Sequence, residues 1–502
     1  MRARRGFAVA LTLLLAACTL APHYTRPVLP VADTWPADAQ SGSAPQSAAA
    51  DEPAVRARPA VPGAEIGWSD FFSDPRLRRL IEIALRNNRN LRVAMLNVGA
   101  SQAQFRVQRA NLFPFIGASG AAVVEKLPGN GAIQIAGSGS SASAVQPEGA
   151  PGSTFRYYSA GIGITSYELD LFGRLRSLST QAFEQYLASA ESRRSAQLSL
   201  VGEVAADYFA VLADEALLKI TDETLVSQTQ SYDLTKAMFD RDTTTLLSLK
   251  QAESAVDAAR ANLSLYQRQL AQDSHALVLV LGQAPPPDLP AGTDIDSQNL
   301  LADLPAGLPS DLIVRRPDIL AAEHTLRAAN ANIGAARAAF FPRIELTGSD
   351  GVASTRLSSL FGKGTGTWSF APTITLPIFA GGQNRANLDL AGIEKRIEIA
   401  QYELSIQTAF REVADALAAR STYREQRLAQ EALVAANADA YRLAQMRFQA
   451  GVDSYLATLD AERSLYAARQ GLVTLKQAEL TNLVTLYKAL GGGWSEHTAR
   501  AP

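Results

Sequence analysis

The sequence predicts a mainly α-helical chain with a small membrane β part, built from one unit used twice. Three observations carry this. First, matching residues recur at a constant offset of 209: Glu203-Val204-Ala205 with Glu412-Val413-Ala414, Phe239 with Phe448, Leu247 with Leu456, Ala258-Ala259-Arg260 with Ala467-Ala468-Arg469, and Leu281-Gly282 with Leu490-Gly491. A constant offset of this kind marks an internal duplication. Second, 174–282 and 383–490 read as two long helical hairpins without a proline. Arms of about 60 to 70 residues would each span roughly 100 Å at 1.5 Å per residue, which suits a tube or a strut rather than a globule. Third, four segments of about ten residues alternate apolar and small or polar side chains, the period of a strand with two different faces.

Composition removes several function classes. The chain has 502 residues, 47% hydrophobic and 19% charged, so a large core is available. A formal charge of −2 gives no reason to expect nucleic acid. The four histidines (His23, His275, His324, His497) are scattered, and Cys18 is the single cysteine, so neither a disulfide framework nor a zinc site can be built. No nucleophile-base spacing, phosphate-cradling glycine loop or carboxylate pair with a nearby histidine is present. The expectation is a protein that is not an enzyme and needs no cofactor.

The stretch from Met1 to Ala17 reads as a signal peptide. Arg2, Arg4 and Arg5 form a basic start, and 7–17 is an apolar run too short to span a bilayer. It ends in Leu15-Ala16-Ala17-Cys18, which resembles a bacterial lipobox, where the thiol takes a diacylglycerol and the new N-terminus a palmitoyl chain. An ordinary secretory signal with an incidental cysteine is the alternative; the only cysteine standing at the cleavage position argues against it. Thr19 follows, and the lack of Asp there points to the outer membrane. Several acyl chains, at about 0.8 kcal/mol per buried CH₂, make a stable anchor.

Residues 18–67 are a lipidated extended lead and linker: Pro22 and Pro27 punctuate it, and 37–63 is rich in Ala, Ser, Pro and Gly. The first repeat occupies 68–290. Asp74-Pro75 is a cap and first-turn proline opening a helix through Leu77, Leu80, Ile81 and Ala84, and a second helix runs from about Leu91 to Leu112. Strands follow at about 114–125 and 155–168, separated by a Gly/Ser/Pro-rich stretch, 127–154, read as loop. Leu198, Val201, Ala205, Tyr208 and Leu212 step by three and four, a coiled-coil seam in the hairpin. The second repeat, 291–492, has the same order: a helix through Ala321, Leu326, Ala329 and Ile333, strands at about 342–352 and 366–379, then the hairpin. Residues 493–502 are a tail.

The strands have the length and alternation of membrane β-barrel strands. Four cannot close a barrel, and an open edge in lipid leaves backbone groups unsatisfied. The barrel must therefore be shared between copies, and physics alone permits eight, twelve or sixteen strands. The other reading of these segments is a small soluble sheet packed under the helices.

With these residues in view, the chain resembles the outer membrane factor family, the TolC-like channels, and within it the lipoprotein (NodT-type) branch paired with RND efflux pumps. The most specific pieces are Leu308-Pro309-Ser310-Asp311-Leu312 running into Arg315-Arg316-Pro317-Asp318-Ile319, then Ala322-Glu323, Ile333-Gly334, Phe341-Pro342, and Leu376-Pro377-Ile378-Phe379 with Gly381-Gly382. The resemblance implies a homotrimer with a 12-stranded outer-membrane β-barrel continued by a 12-helix periplasmic tunnel. It implies a passive duct that takes small molecules from an inner-membrane RND transporter through a periplasmic adaptor.

Two sites follow. The second hairpin tip carries Gly451, Val452 and Asp453, where Gly451 can take a positive φ; in the family this tip meets the adaptor. The first tip carries Arg241 and Asp242, with Asp242 standing where a glycine is usual. Leu456 and Asp460 lie one helical turn apart and match the family positions that narrow the tunnel, an apolar ring and an acidic ring. The plainer readings are a turn glycine and a solvated helix face. Arg315, Arg316, Pro317 and Asp318 are expected to be structural, as helix start and caps. Two other functions fit the same outline: a channel for type I protein secretion, and a pore-free structural lipoprotein.

Overall fold

The computed structural model describes residues 19–32, 34–36, 65–126, 132–135, 142–145, 154–301, 304 and 312–498. Cys18, the signal peptide, most of the linker and the 308–311 part of the motif lie outside them. In order the elements are α1 (Trp68–Phe71), α2 (Pro75–Asn87), α3 (Arg89–Ala110), β1 (Ile116–Lys126), β2 (Ala132–Ile135), β3 (Ala142–Val145), β4 (Thr154–Glu168), α4 (Arg174–Phe239), α5 (Leu246–Leu281), α6 (Leu312–Arg315), α7 (Pro317–Ala338), β5 (Arg343–Ser354), β6 (Gly366–Thr375), α8 (Gln383–Gln449) and α9 (Tyr455–Ala489).

The duplication shows in the elements as well as in the sequence, with two offsets. α4 and α5 correspond to α8 and α9 at the offset of 209, while α3 (Arg89–Ala110) corresponds to α7 (Pro317–Ala338) at an offset of 228. The change of offset lies between the two strands of each half, where the first copy has the longer connection. Part of that connection is not loop. Its Ala132-Ile133-Gln134-Ile135 and Ala142-Ser143-Ala144-Val145 pair as a short antiparallel hairpin, correcting the expectation for 127–154. Four-residue runs bounded by glycine carry too little period to stand out by pattern.

The chain divides into two compact units, one holding 1–27, 98–189 and 322–402 and the other 28–97, 190–321 and 403–502. In the first unit the four long strands form one antiparallel sheet in the order β1-β4-β5-β6. β6 stops at Thr375, short of the expected 379; Pro377 has no N–H to give a ladder, and Leu376, Ile378 and Phe379 stand exposed. In the same unit, residues 19–27 lie along α7. Arg26 and Arg327 both bind the buried Glu323 carboxylate at 2.8 Å, Asn330 donates to the Pro22 carbonyl at 2.8 Å, and Arg337 donates to the Leu20 carbonyl at 3.1 Å. Gly334 makes room for this strap: a Cβ there would stand 2.8 Å from the Ala21 nitrogen.

The long arms are unequal to their returns. α4 and α8 have 66 and 67 residues, but α5 and α9 have only 36 and 35, so the return arms are half the expected length. Each stops at a glycine with positive φ, Gly282 (74°) and Gly491 (87°), which ends the helix. Asp74 caps α2 through Arg76 N (2.7 Å) and takes the Tyr208 hydroxyl (2.9 Å) and Gln298 Nε2 (2.7 Å) on its other oxygen. The predicted seam Leu198, Val201, Ala205, Tyr208 and Leu212 is buried throughout, and Phe71 stacks on Tyr487 at 4.1 Å. The buried Arg316 binds the half-exposed carboxylates of Asp318 (2.6 Å) and Glu412 (2.8 Å), a structural cluster.

Candidate functional site

The sheet sorts its side chains by register. Residues opposite each other across a ladder share a face. The pairs Ile116↔Ile164, Ala118↔Ile162, Ala160↔Val352, Leu346↔Pro372, Gly348↔Phe370 and Ile344↔Ile374 therefore set one mainly apolar face, joined by Trp368, whose register partner Asp350 is the one acid among the residues paired there. The opposite face holds Ser159, Gly161, Gly163, Ser349, Gly351, Ser369, Thr373 and Thr375, with Ser349 and Ser369 hydrogen-bonded at 2.8 Å. Trp368 is 80% exposed and Phe370 63%, so among the described residues the apolar face has no cover. Leaving such rings in water is unfavourable; a hydrocarbon surround reverses the sign. Gly161 and Gly351 face each other on the polar side, and a Cβ on Gly161 would come within 2.8 Å of the Asp350 carbonyl, so the sheet can curve only with glycine there.

The two tips share one backbone device. Asp242 N–H bonds to the Phe239 carbonyl and Thr243 N–H to Met238; at the matching positions of the second tip, Gly451 N–H bonds to Phe448 and Val452 N–H to Arg447. Both turn residues are left-handed, Asp242 at φ 59° and Gly451 at φ 71°. Asp242 is the one non-glycine residue with positive φ among the described residues. The side chains then diverge. Arg447 grips Asp453 with two bonds, at 2.5 and 2.9 Å, and holds that carboxyl below its usual range. The corresponding first-tip residues are Met238 and Thr244, which cannot form that pair. Arg241 and Asp242 are exposed, as are Gly451 and Val452. Under the tips, Ala252, Ala255, Tyr455 and Leu459 pack as a small core against Tyr232 and Phe448.

Leu456 and Asp460 lie on α9, both exposed, next to the buried Tyr455 and Leu459. Leu456 is 45% exposed, and its counterpart Leu247 on α5 is 68% exposed. Leu247 was legible from the repeat offset, yet the gate expectation named only the second hairpin. The acidic position is not duplicated: Asp460 answers to Gln251. Sequence reasoning also missed Glu462. It is buried, accepts a weak 3.5 Å bond from the Tyr441 hydroxyl, and burial raises its pKa. Its counterpart Glu253 is solvated and paired with Lys250 at 2.6 Å, so the sequence match hid opposite environments. Asp214 on α4 is 2% exposed and titrates at about 7, pushed up by burial and then by the Asp273 carboxyl.

Among the described residues no group of three His, Cys, Asp or Glu could hold a metal. Among the described residues the arrangement offers exposed apolar and charged surfaces.

Comparison with known proteins fits this geometry. The family model described as "Outer membrane efflux protein" matches residues 80–283 and 308–492. The chain is 48% identical over 488 residues to the antibiotic efflux pump outer membrane protein ArpC of Pseudomonas putida, covering 97% of this chain and 95% of the relative. The toluene efflux pump outer membrane protein TtgC of Pseudomonas putida matches to the same extent, 48% over 488 residues with the same coverage. Among solved structures, the open state of the MtrE outer membrane channel of Neisseria gonorrhoeae aligns with a TM-score of 0.82 at 38% identity, covering 96% of this chain and all of that one.

Proposed function

The chain belongs to the outer membrane efflux protein family, and on that premise we propose that three copies close one duct that carries small toxic molecules out of the cell. It is an outer-membrane efflux channel component and not an enzyme. The relatives named for antibiotic and toluene efflux suggest apolar, membrane-active cargo. The cargo arrives from an inner-membrane RND transporter, handed over by a periplasmic adaptor that meets the tips at Gly451, Val452 and Asp453 and, less equally, at Arg241 and Asp242. Leu456 and Asp460 narrow the entrance. Cys18 carries N-palmitoyl and S-diacylglycerol chains that hold the chain to outer-membrane lipid.

The observation that carries this reading is the sheet with two free edges. Among the described residues β1 and β6 have no partner on their outer sides, and nothing covers the apolar face. In lipid, such edges must be paired by further copies. Twelve strands from three chains close the sheet, with the Ser, Thr and Gly face lining water.

Purified, lipidated protein in planar bilayers tests this. Discrete single-channel currents from a heat-dissociable trimer are expected. A monomer without currents would sink the duct. Deleting the gene and running a drug and solvent susceptibility panel beside a comparison of secreted proteins separates efflux from type I secretion. Cross-linking at Val452 followed by mass spectrometry identifies the adaptor.

A further inference from the structure

We propose that Arg106 and Arg109, at the last turns of α3, bind the phosphates of phospholipid headgroups where the chain enters the membrane. The inference rests on the outer-membrane placement of the strands.

The sequence isolates these two cations. From Arg86 through Val124 there are five arginines and no acid. Arg106 and Arg109 are exposed, three positions apart, so they share one side of the helix. Among the described residues neither has an ion pair, whereas the other arginines at the helix–strand junctions are engaged: Arg174 and Arg343 with Glu168, at 2.6 and 2.8 Å. α3 then gives way to Phe113, Pro114 and Phe115 and to β1. Phe113 and Phe115 are exposed large aromatics. A basic pair followed by uncovered aromatics and a lipid-facing strand is the order of groups expected from headgroup to hydrocarbon.

The duplication supplies an independent marker of depth. Arg109 answers to Arg337 at the offset of 228. Arg337 donates to the carbonyl of Leu20, two positions from the proposed lipid anchor at Cys18. In the second half this arginine position is spent on the strap. In the first half no strap lies on it among the described residues, and Gly334, which lets the strap approach, is replaced by Arg106. The planar guanidinium matches phosphate with paired N–H donors, and an anionic surface attracts each such cation. A carboxylate of a neighbouring copy is the rival partner, and the experiment separates the two.

Full-length lipidated channel in detergent is titrated with dimyristoylphosphatidylglycerol or dimyristoylphosphatidylcholine, and bound lipid is counted by native mass spectrometry. The wild type is expected to prefer phosphatidylglycerol, and the R106Q/R109Q double variant to lose that preference by roughly 30-fold, about five-fold for each arginine. R89Q/R92Q, at the far end of the same helix, is expected to keep it. Equal loss in R89Q/R92Q would mean general charge attraction, and no loss in R106Q/R109Q would mean no site; either overturns the proposal. A double variant that falls to monomers in lipid-free detergent assigns the arginines to a subunit contact and also overturns it. In every arm conductance of the surviving trimer reports on the duct separately.

Discussion

Arg316 Nη1 donates to the carbonyl of Ala489 at 3.0 Å, and at the matching positions of the first repeat Asn88 Nδ2 donates to the carbonyl of Val280 at 2.7 Å. The two bonds are one device in its two copies. Each return helix ends with unsatisfied carbonyls, and the residue just before α3 or α7, earlier in the same half, caps one of them. The backbones meet there too: a Cβ on Gly282 would lie 2.5 Å from the Asn87 carbonyl, and one on Gly491 would lie 3.1 Å from that of Arg315. Asn88→Ala is expected to lower stability by about 1–2 kcal/mol. Arg316→Ala is expected to cost more, about 2–3 kcal/mol, because the buried guanidinium also pairs with Asp318 and Glu412, whose half-exposed carboxylates water can partly resolvate. Urea denaturation followed by circular dichroism measures both, and equal small effects would contradict the difference.

The tips make a signed prediction about backbone. Asp242 stands at φ 59° where a side chain costs energy. Asp242→Gly should stabilise the chain by up to about 1 kcal/mol and Gly451→Ala should destabilise it by about 1 kcal/mol. Thermal melts compare them with the parent.

Two buried carboxyls give opposite pH slopes. Burial raises Asp214, with Asp273 adding to it, to about 7. The folded chain thus holds this proton more tightly than the unfolded one, so its stabilising share is full below about 4 and is lost as pH rises toward 7. Asp214→Asn should flatten stability between those limits. A slope unchanged in the variant would remove Asp214 as its source.

Glu323 behaves the other way. Burial pushes its pKa up, but the hydrogen bonds from Arg26 and Arg327 outweigh that and hold it below 4.5. Its contribution is present above that value and lost as pH falls through the depressed one. Glu323→Gln should free the 19–27 strap at neutral pH, read as faster proteolysis or hydrogen exchange of that segment alone.

At the entrance, Asp460→Ala with Leu456→Ala should raise single-channel conductance, and adding Leu247→Ala should raise it further, because Leu247 is the more exposed of the two leucines. Unchanged currents in both variants would remove these residues as a constriction.

The helices and strands were legible because their periods are long and regular: one offset placed α4, α5, α8 and α9, and alternation placed β4 and β6. The return arms were misjudged because proline-free sequence does not locate a stop that Gly282 and Gly491 impose by backbone conformation. The β2–β3 hairpin was missed because such short runs hold no measurable period. Leu247 was in view but unused. The strap could not be read at all, since Arg26 and Glu323 stand 297 residues apart and nothing in either neighbourhood names the other.

The unequal sites at Gln251 and Asp460 have a consequence for the assembled entrance. A trimer of this duplicated chain has six nearly equivalent blades but only threefold true symmetry. Its leucine positions, Leu247 and Leu456, repeat six times, while the anionic position appears on alternate blades. With the proposed gate at these positions, the mouth would be apolar all round and charged in only three directions. Half the repulsion-prone sites of a uniform hexad would be silent, and a cation crossing there would meet a triangle of carboxylates rather than a closed collar.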